Sequence, residues 1–152
     1  MVSTRTTNTI TVFIDSSVLV AASISQRGSG RELLTRALVG KLNAYISDDV
    51  LEETERNIAE KKPAALPAFC YYRDALVSKV INPSMKVVKE VAKVVEPKDA
   101  PIVAAAIEAS ALYLASYDQR HLLGQKEQIW DTFGVIVLTP IEVLYLLPPD
   151  TL

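Results

Sequence analysis

The stretch TITVFIDSS, at residues 9–17, places an acidic residue directly after a short run of β-branched and aromatic residues. Such a run is typical of a buried strand, so we predict a strand over residues 9–14 that brings Asp15 to its carboxyl end. Asp15, Ser16 and Ser17 are also residue types that favour the start of a helix, and an apolar segment follows them. The stretch therefore predicts the first strand–helix unit of an α/β protein.

Outward from this unit, similar apolar runs predict three more strands, at residues 42–46, 112–116 and 135–138. The segments between them show helical spacing of apolar residues, and strands that alternate with helices imply a parallel sheet covered on both faces. We therefore predict a three-layer α/β/α sandwich that forms one domain over residues 9–152, after a polar, flexible tail at residues 1–8.

Three further acidic residues lie where a strand ends or a helix begins. Asp118 follows the run ALYLASY, Asp99 precedes the helical segment APIVAAAI, and Glu53 lies in the helical segment SDDVLEETERNI. Because the carboxyl ends of parallel strands meet at one edge of a sheet, we expect these side chains to converge with Asp15. Clustered carboxylates repel one another unless a cation neutralises them, and oxygen ligands are those that Mg²⁺ and Mn²⁺ prefer. The pattern predicts a divalent-metal site for phosphodiester cleavage.

Each acid also has an ordinary structural alternative. Asp15 and Asp99 could serve as helix N-caps, Asp118 as a turn residue, and Glu53 as a solvated residue of its helix. The spacing of apolar residues along that helix favours Glu53 over Glu52 by a small margin only. If the four carboxylates do converge, we expect the pKa of one of them to be raised in the metal-free protein.

Other polar and aromatic residues near the acids are further candidates. Hydroxyls that could orient a water molecule or contact a phosphate belong to Ser16, Ser17 and Ser116. His121, the only histidine, is either a general base or phosphate contact, or a capping or packing residue, and the sequence favours the second role. Tyr117 and Trp130 either stack on a nucleobase or are simply half-buried, and here too the structural role is favoured.

Composition and charge limit the class of protein. The chain has 152 residues, 49% of them hydrophobic and 22% charged, which is typical of one globular domain. A net charge of −2 argues against a protein that coats nucleic acid, but it is compatible with a nuclease that has basic residues around an acidic cleft. Candidate rim residues are Arg27, Arg31, Arg36, Arg56, Arg73 and Arg120. The single cysteine, Cys70, and the lack of a signal-like or membrane-spanning apolar run predict a cytoplasmic protein.

Taken together, these stretches resemble the PIN-domain family, in particular its prokaryotic toxin-like and stand-alone nucleases. The resemblance covers about residues 10–147 and rests on the order and spacing of the motifs VFIDSSVLVAA, ISDDVLEETERNI, PKDAPIVAAAIEASALYLASYD and GVIVLTPIEVL. It implies a compact α/β/α domain with a central parallel sheet, and a ribonuclease that depends on Mg²⁺ or Mn²⁺.

By position, the resemblance implies a role for each of the four acids. Asp15 corresponds to the family's first acid and Glu53 to the glutamate of the family's third helix. Asp99 corresponds to the acid that opens the helix before the family's fourth strand, and Asp118 to the acid of a Ser/Thr-x-Asp motif. All four are then catalytic, and the three aspartates are the metal ligands. Many members carry a further acid shortly after that motif, whereas residues 119–121 of this chain read QRH, which leaves open whether one or two metal ions bind.

The resemblance also implies partners. RNA is the expected substrate, and an antitoxin protein is an expected partner, because members of the family are often toxins held inactive in this way. The segment at residues 65–80 is apolar and aromatic, and it is either a homodimer face, a partner groove or part of the core. The alternative function is a catalytically inactive PIN-like module that binds RNA or protein. A dehalogenase-type phosphatase is disfavoured, because it would need an acid where Ser17 stands.

Overall fold

The computed structural model describes residues 9–149, so the tail predicted at residues 1–8 lies outside the described residues. The strands are β1 (Thr11–Ile14), β2 (Asn43–Tyr45), β3 (Tyr113–Ala115) and β4 (Ile136–Leu138). The α-helices are α1 (Ser16–Ile24), α2 (Ser29–Leu38), α3 (Asp48–Lys61), α4 (Leu66–Ala75), α5 (Met85–Val91), α6 (Ala100–Glu108), α7 (Lys126–Phe133) and α8 (Pro140–Leu146). Short 3₁₀ segments lie at Pro63–Ala65, Val77–Lys79 and Leu123–Gln125.

The four strands form one parallel sheet in the order β2-β1-β3-β4. Consecutive residues of a strand point to opposite faces of its sheet. In β1, Val12, Phe13 and Ile14 all have an exposed fraction of 0%, so both faces of the sheet are covered. The predicted strands and the predicted α/β/α architecture are confirmed.

The order of the strands explains where a ligand can bind. From β1 the chain continues to β2, towards one edge of the sheet, and from β3 it continues to β4, towards the opposite edge. The segments that follow the neighbouring strands β1 and β3 therefore separate, which leaves a crevice outside the carboxyl ends of these two strands. Ile14 pairs with Ala115, and the backbone N–H of Asp15 donates to the carbonyl of Ala115 at 3.0 Å, so the residues that follow both strands are neighbours.

The sequence left one helix undecided and did not predict another. For residues 86–95 the valine pattern allows a strand or a helix, and the structure has helix α5 there, because Ser84 caps it and Val87, Val88 and Val91 recur at helical spacing. Helix α7 was not predicted, because it is a short helix with Ile129 as its one buried residue. No helix within residues 9–149 is long and apolar enough to cross a bilayer.

Candidate active site

The four predicted acids line one cleft at the carboxyl edge of the sheet. The cleft has a volume of about 670 Å³, and its walls include Asp15, Glu53, Asp99 and Asp118. Asp15 follows β1 and Asp118 lies beyond β3, whereas Asp99 immediately precedes α6 and Glu53 lies in the second turn of α3. The structure thus brings the four carboxylates together, and their chemical roles stay predictions.

Two serine hydroxyls fix the carboxylate of Asp15. Ser17 Oγ and Ser116 Oγ each donate a hydrogen bond of 2.8 Å to Asp15 Oδ2. Each hydroxyl also accepts a backbone N–H, Ser17 from Tyr117 at 3.0 Å and Ser116 from Asp118 at 2.9 Å. Both hydroxyls therefore have a donor and an acceptor role, and both donate to the same carboxylate oxygen. Asp15 Oδ1 has no hydrogen bond to residues 9–149, which leaves it for a ligand in the cleft.

The serines were predicted to orient water or contact phosphate, which stays a prediction, and the structure shows which groups the hydroxyls of two of them bond. The hydroxyls of Ser17 and Ser116 are occupied by Asp15 and by backbone N–H groups, so they orient the carboxylate. Ser116 has an exposed fraction of 0%. Ser16 is buried and lines the cleft.

Neither Asp15 nor Asp99 uses its side chain to cap the helix that follows it. Two other helices in the same chain do have side-chain caps, because Ser47 and Ser84 accept the backbone N–H three residues further on. A capping aspartate would gain stability from such a bond. A side-chain cap therefore does not explain why these two acids stand immediately before α1 and α6.

The carboxyl group of Asp99 has a raised pKa. Burial raises its pKa above the ordinary value of 3.8, while a hydrogen bond from Gln125 Nε2 at 3.0 Å and the nearby His121 and Lys98 oppose that rise. The charge of Asp118 raises the pKa further. The expectation that one acid of the cluster has a raised pKa is confirmed, although burial contributes more than repulsion between the acids.

The raised pKa of Asp99 predicts how stability depends on pH. The ionised carboxylate is disfavoured in the folded state, so it destabilises the metal-free protein at pH values above its folded pKa and has no such effect below its unfolded pKa of 3.8. Asp99→Asn keeps an acceptor for Gln125 and removes the charge. In EDTA we expect this variant to melt a few degrees above the wild type at about pH 7, and the difference should vanish near pH 3. A variant that melts lower at both pH values would contradict this account.

Asp118 has both a turn role and a position in the cleft. Its Oδ1 accepts the backbone N–H groups of Arg120 and His121, each at 3.2 Å, so the predicted turn role is correct. Its Oδ2 has no hydrogen bond to residues 9–149. One oxygen therefore shapes the loop, and the other is left for a ligand.

Helix α3 presents Glu53 to the cleft together with Arg56, Asn57 and Lys61. These residues are three, four and eight positions after Glu53, which places them on one face of the helix. Glu52 does not line this cleft; it lines an adjoining hollow of about 300 Å³, which Glu53 lines as well. Of the two glutamates that the sequence could hardly distinguish, the structure therefore places Glu53 in the cleft.

Of the six arginines predicted for the rim, the structure places Arg56 in the cleft wall. Arg31 donates to the carbonyl of Ala22, and Arg36 and Arg73 form ion pairs with acids of their own helices. The other cations of the cleft wall are Lys61 and Lys98.

Sequence reasoning missed a second group of side chains beside Asp99. His121 Nδ1 lies 3.8 Å from Asp99 and 3.6 Å from the carboxylate of Glu96, and it is buried without a hydrogen bond in the described part of the chain. Lys98 Nζ lies 2.7 Å from His121 Nε2. Gln125 joins the group by bonding Asp99 and the backbone N–H of Glu96. The spacing of residues in the sequence does not predict these contacts, because the partners are separated by 26 and 29 positions and lie in a loop region.

The donor atoms of the cleft fit a divalent cation. Asp15 and Asp118 each offer an oxygen without a hydrogen bond to residues 9–149, and Asp99 lines the same cleft. Among residues 9–149, the set of ligand atoms that lie within 4.8 Å of one another belongs to Glu96, Asp99 and His121, two carboxylates and one imidazole, and the three aspartates are not as close together. Carboxylate oxygens suit Mg²⁺ and Mn²⁺, whereas imidazole is a ligand that suits transition metals such as Zn²⁺ and Fe²⁺.

Comparisons with known proteins agree with this fold. A family model described as a PIN domain matches residues 11–120. Two crystal structures share the fold with a TM-score of 0.58 each: PAE2754 from Pyrobaculum aerophilum is 19% identical, with 90% of this chain and 88% of that chain covered. The second, VapBC2 from Rickettsia felis bound to a DNA fragment from its promoter, is 18% identical, with 86% and 98% covered. No curated protein matches the sequence significantly.

Proposed function

This chain belongs to the PIN-domain family, whose members are generally nucleases, and from that premise we propose that it is an endoribonuclease that depends on Mg²⁺ or Mn²⁺. The proposed substrate is single-stranded or looped RNA, and the reaction is hydrolysis of a phosphodiester bond. The observation that carries the proposal is the convergence of four carboxylates from separate parts of the chain in one cleft. Such a cluster is costly without a cation and useful with one.

Asp15, Asp99 and Asp118 would hold the cation. When bound, a divalent cation supplies Lewis acidity at a phosphate oxygen and lowers the pKa of water. Ser17 and Ser116 keep Asp15 Oδ2 in place, so that Asp15 Oδ1 faces the cleft in a fixed orientation. Glu53, which is exposed in the cleft, is the residue proposed to accept the proton of the attacking water.

The cations of the cleft wall have a separate role in this proposal. Arg56 and Lys61 lie on the same face of α3 as Glu53, and Lys98 lies next to Asp99. We propose that they bind phosphates on either side of the scissile bond, which offsets the negative charge of the acids. Affinity for RNA should then fall as salt concentration rises.

Cleavage of labelled RNA in Mn²⁺, Mg²⁺ or EDTA tests the proposed function. We expect cleavage in either metal and none in EDTA, and we expect none from Asp15→Asn purified in the same way, which controls for contaminating nucleases. Absence of cleavage, together with no effect of Mn²⁺ on Tm, would favour the inactive PIN-like binding module, because such a module has no need of the metal.

The comparison with VapBC2 supports a narrower proposal about partners. That structure is described as a complex bound to a DNA fragment from its promoter, and its fold covers 86% of this chain. We propose that this chain is likewise the toxin of a toxin–antitoxin pair, with an antitoxin protein as partner. Induced expression in bacteria should then arrest growth, and Asp15→Asn should not. A homodimer through residues 65–80 stays a prediction, to be measured by sedimentation.

A further inference from the structure

Tyr117 forms part of the wall of the candidate active site. It lies between Ser116, which holds Asp15, and Asp118, and its side chain lines the same cleft as the acids. Its exposed fraction is 36%, whereas Phe69 and Tyr72, the aromatic residues of α4 that pack into the core, have exposed fractions of 1% and 6%. An aromatic surface is therefore left accessible beside the acidic cluster.

The position of Tyr117 is fixed at both ends. Its backbone N–H donates to Ser17 Oγ at 3.0 Å, and its phenol hydroxyl forms a hydrogen bond with Ser29 Oγ at the start of α2. The ring edge lies against Gly30, where an added Cβ would come within 3.4 Å of the ring carbon Cε2 and of the hydroxyl. Those distances are ordinary van der Waals contacts, so the ring packs closely against the start of α2. The two hydrogen bonds hold it there.

We infer that Tyr117 is a substrate-positioning residue, on whose ring the base of a nucleotide next to the scissile phosphate stacks. This inference rests on the proposed nuclease function of the same cleft. When the scissile phosphate lies at the acids, the bases on either side of it lie within the length of one nucleotide from Tyr117. Base–aromatic stacking tolerates any base, because every base has a π-face. A ring that is already fixed loses little conformational freedom when the base binds.

Stacking on Tyr117 also makes the cleft selective for unpaired nucleotides. A base in a duplex is stacked on its neighbours and paired, so it must leave the helix before it can contact the ring. The cations Arg56 and Lys61 of α3 contact any phosphate chain, single- or double-stranded. Tyr117 therefore supplies the selectivity that the charges of the cleft do not.

Binding of two ribo-oligomers of equal length, one with adenine bases and one with abasic residues, tests this inference. The protein carries Asp15→Asn, so that it holds the oligomer without cutting it. Tyr117→Leu removes the ring and keeps an apolar side chain, and Tyr117→Phe keeps the ring without the hydroxyl. Trp130→Leu is the matched control, since Trp130 has an exposed fraction of 51% but lines a separate hollow.

We expect Tyr117→Leu to bind the adenine oligomer about tenfold more weakly and the abasic oligomer unchanged, because one base–aromatic stack is lost. Tyr117→Phe should stay within about threefold of the parent, and Trp130→Leu should bind both oligomers like the parent. Equal losses on both oligomers, or no loss on either, would overturn the inference while metal-dependent cleavage by the wild type still supported the proposed function. A parent that binds neither oligomer, with a wild type that does not cleave, would overturn both.

Discussion

Asp15→Asn is expected to lower metal-dependent RNA cleavage by about 10³-fold, because Lewis-acid stabilisation by a bound cation is worth several kcal/mol. The variant removes the charge of the residue that links both central strands of the sheet to the cleft. It keeps the hydrogen bonds of the site, since the amide oxygen of Asn can accept from Ser17 and Ser116 in place of Oδ2. The fold should therefore be intact, with a Tm in EDTA equal to or above that of the wild type.

Three measurements test this prediction. The first is the cleavage rate in Mn²⁺, the second is the Tm in EDTA, and the third is the rise in Tm on adding Mn²⁺, which should be present in the wild type and absent in Asp15→Asn. Asp74→Asn is the control, because Asp74 is an exposed aspartate that pairs with Arg73 outside the cleft, and it should match the wild type in all three. A variant that cleaves normally, or that unfolds several degrees early in EDTA, would show that Asp15 has a structural role.

The strands and the two acids that follow them could be predicted from sequence for a simple physical reason. A strand buried on both faces reads as a continuous run of β-branched and aromatic residues, and parallel strands end at one edge of their sheet. Asp15 and Asp118 follow such runs, so their convergence depends on topology alone. Asp99 could be predicted nearly as well, because it immediately precedes α6, in which six of the nine residues are buried.

The contacts around Asp99 could not be predicted in this way. Gln125 and His121 reach Asp99 only through the path of the loop after β3, which no periodic pattern describes. The same loop precedes α7, the helix that the sequence did not indicate, because Ile129 is its one buried residue. The hydrogen bonds from Ser17 and Ser116 to Asp15 could not be predicted for a different reason. A hydroxyl near an acid can bond the acid, a water molecule or a ligand, and only the distances in the structure decide between these.

The positions of Glu53 and Glu52 relative to the cleft depend on the tertiary structure and could not be predicted from the periodicity of α3. Both are exposed acids in the second turn of α3, so the pattern of buried residues on that helix hardly separates them. In the folded protein Glu53 lines both the acidic cleft and the smaller hollow beside it, whereas Glu52 lines the hollow and not the cleft. The two glutamates therefore form a natural pair of variants with the same chemistry, the same helix and different positions.

Glu53→Gln is expected to lower the cleavage rate by about 10²-fold or more, as is typical when a general base is removed, while Glu52→Gln should stay within about twofold of the wild type. Both substitutions keep the shape of the side chain and should shift Tm by little, because neither glutamate is buried. The measurement is single-turnover cleavage of the same RNA in Mn²⁺ by both variants. Similar losses in both would mean that the total negative charge of α3 is what matters. A loss in Glu52→Gln alone would mean that the residue proposed as base has been assigned to the wrong side of the helix.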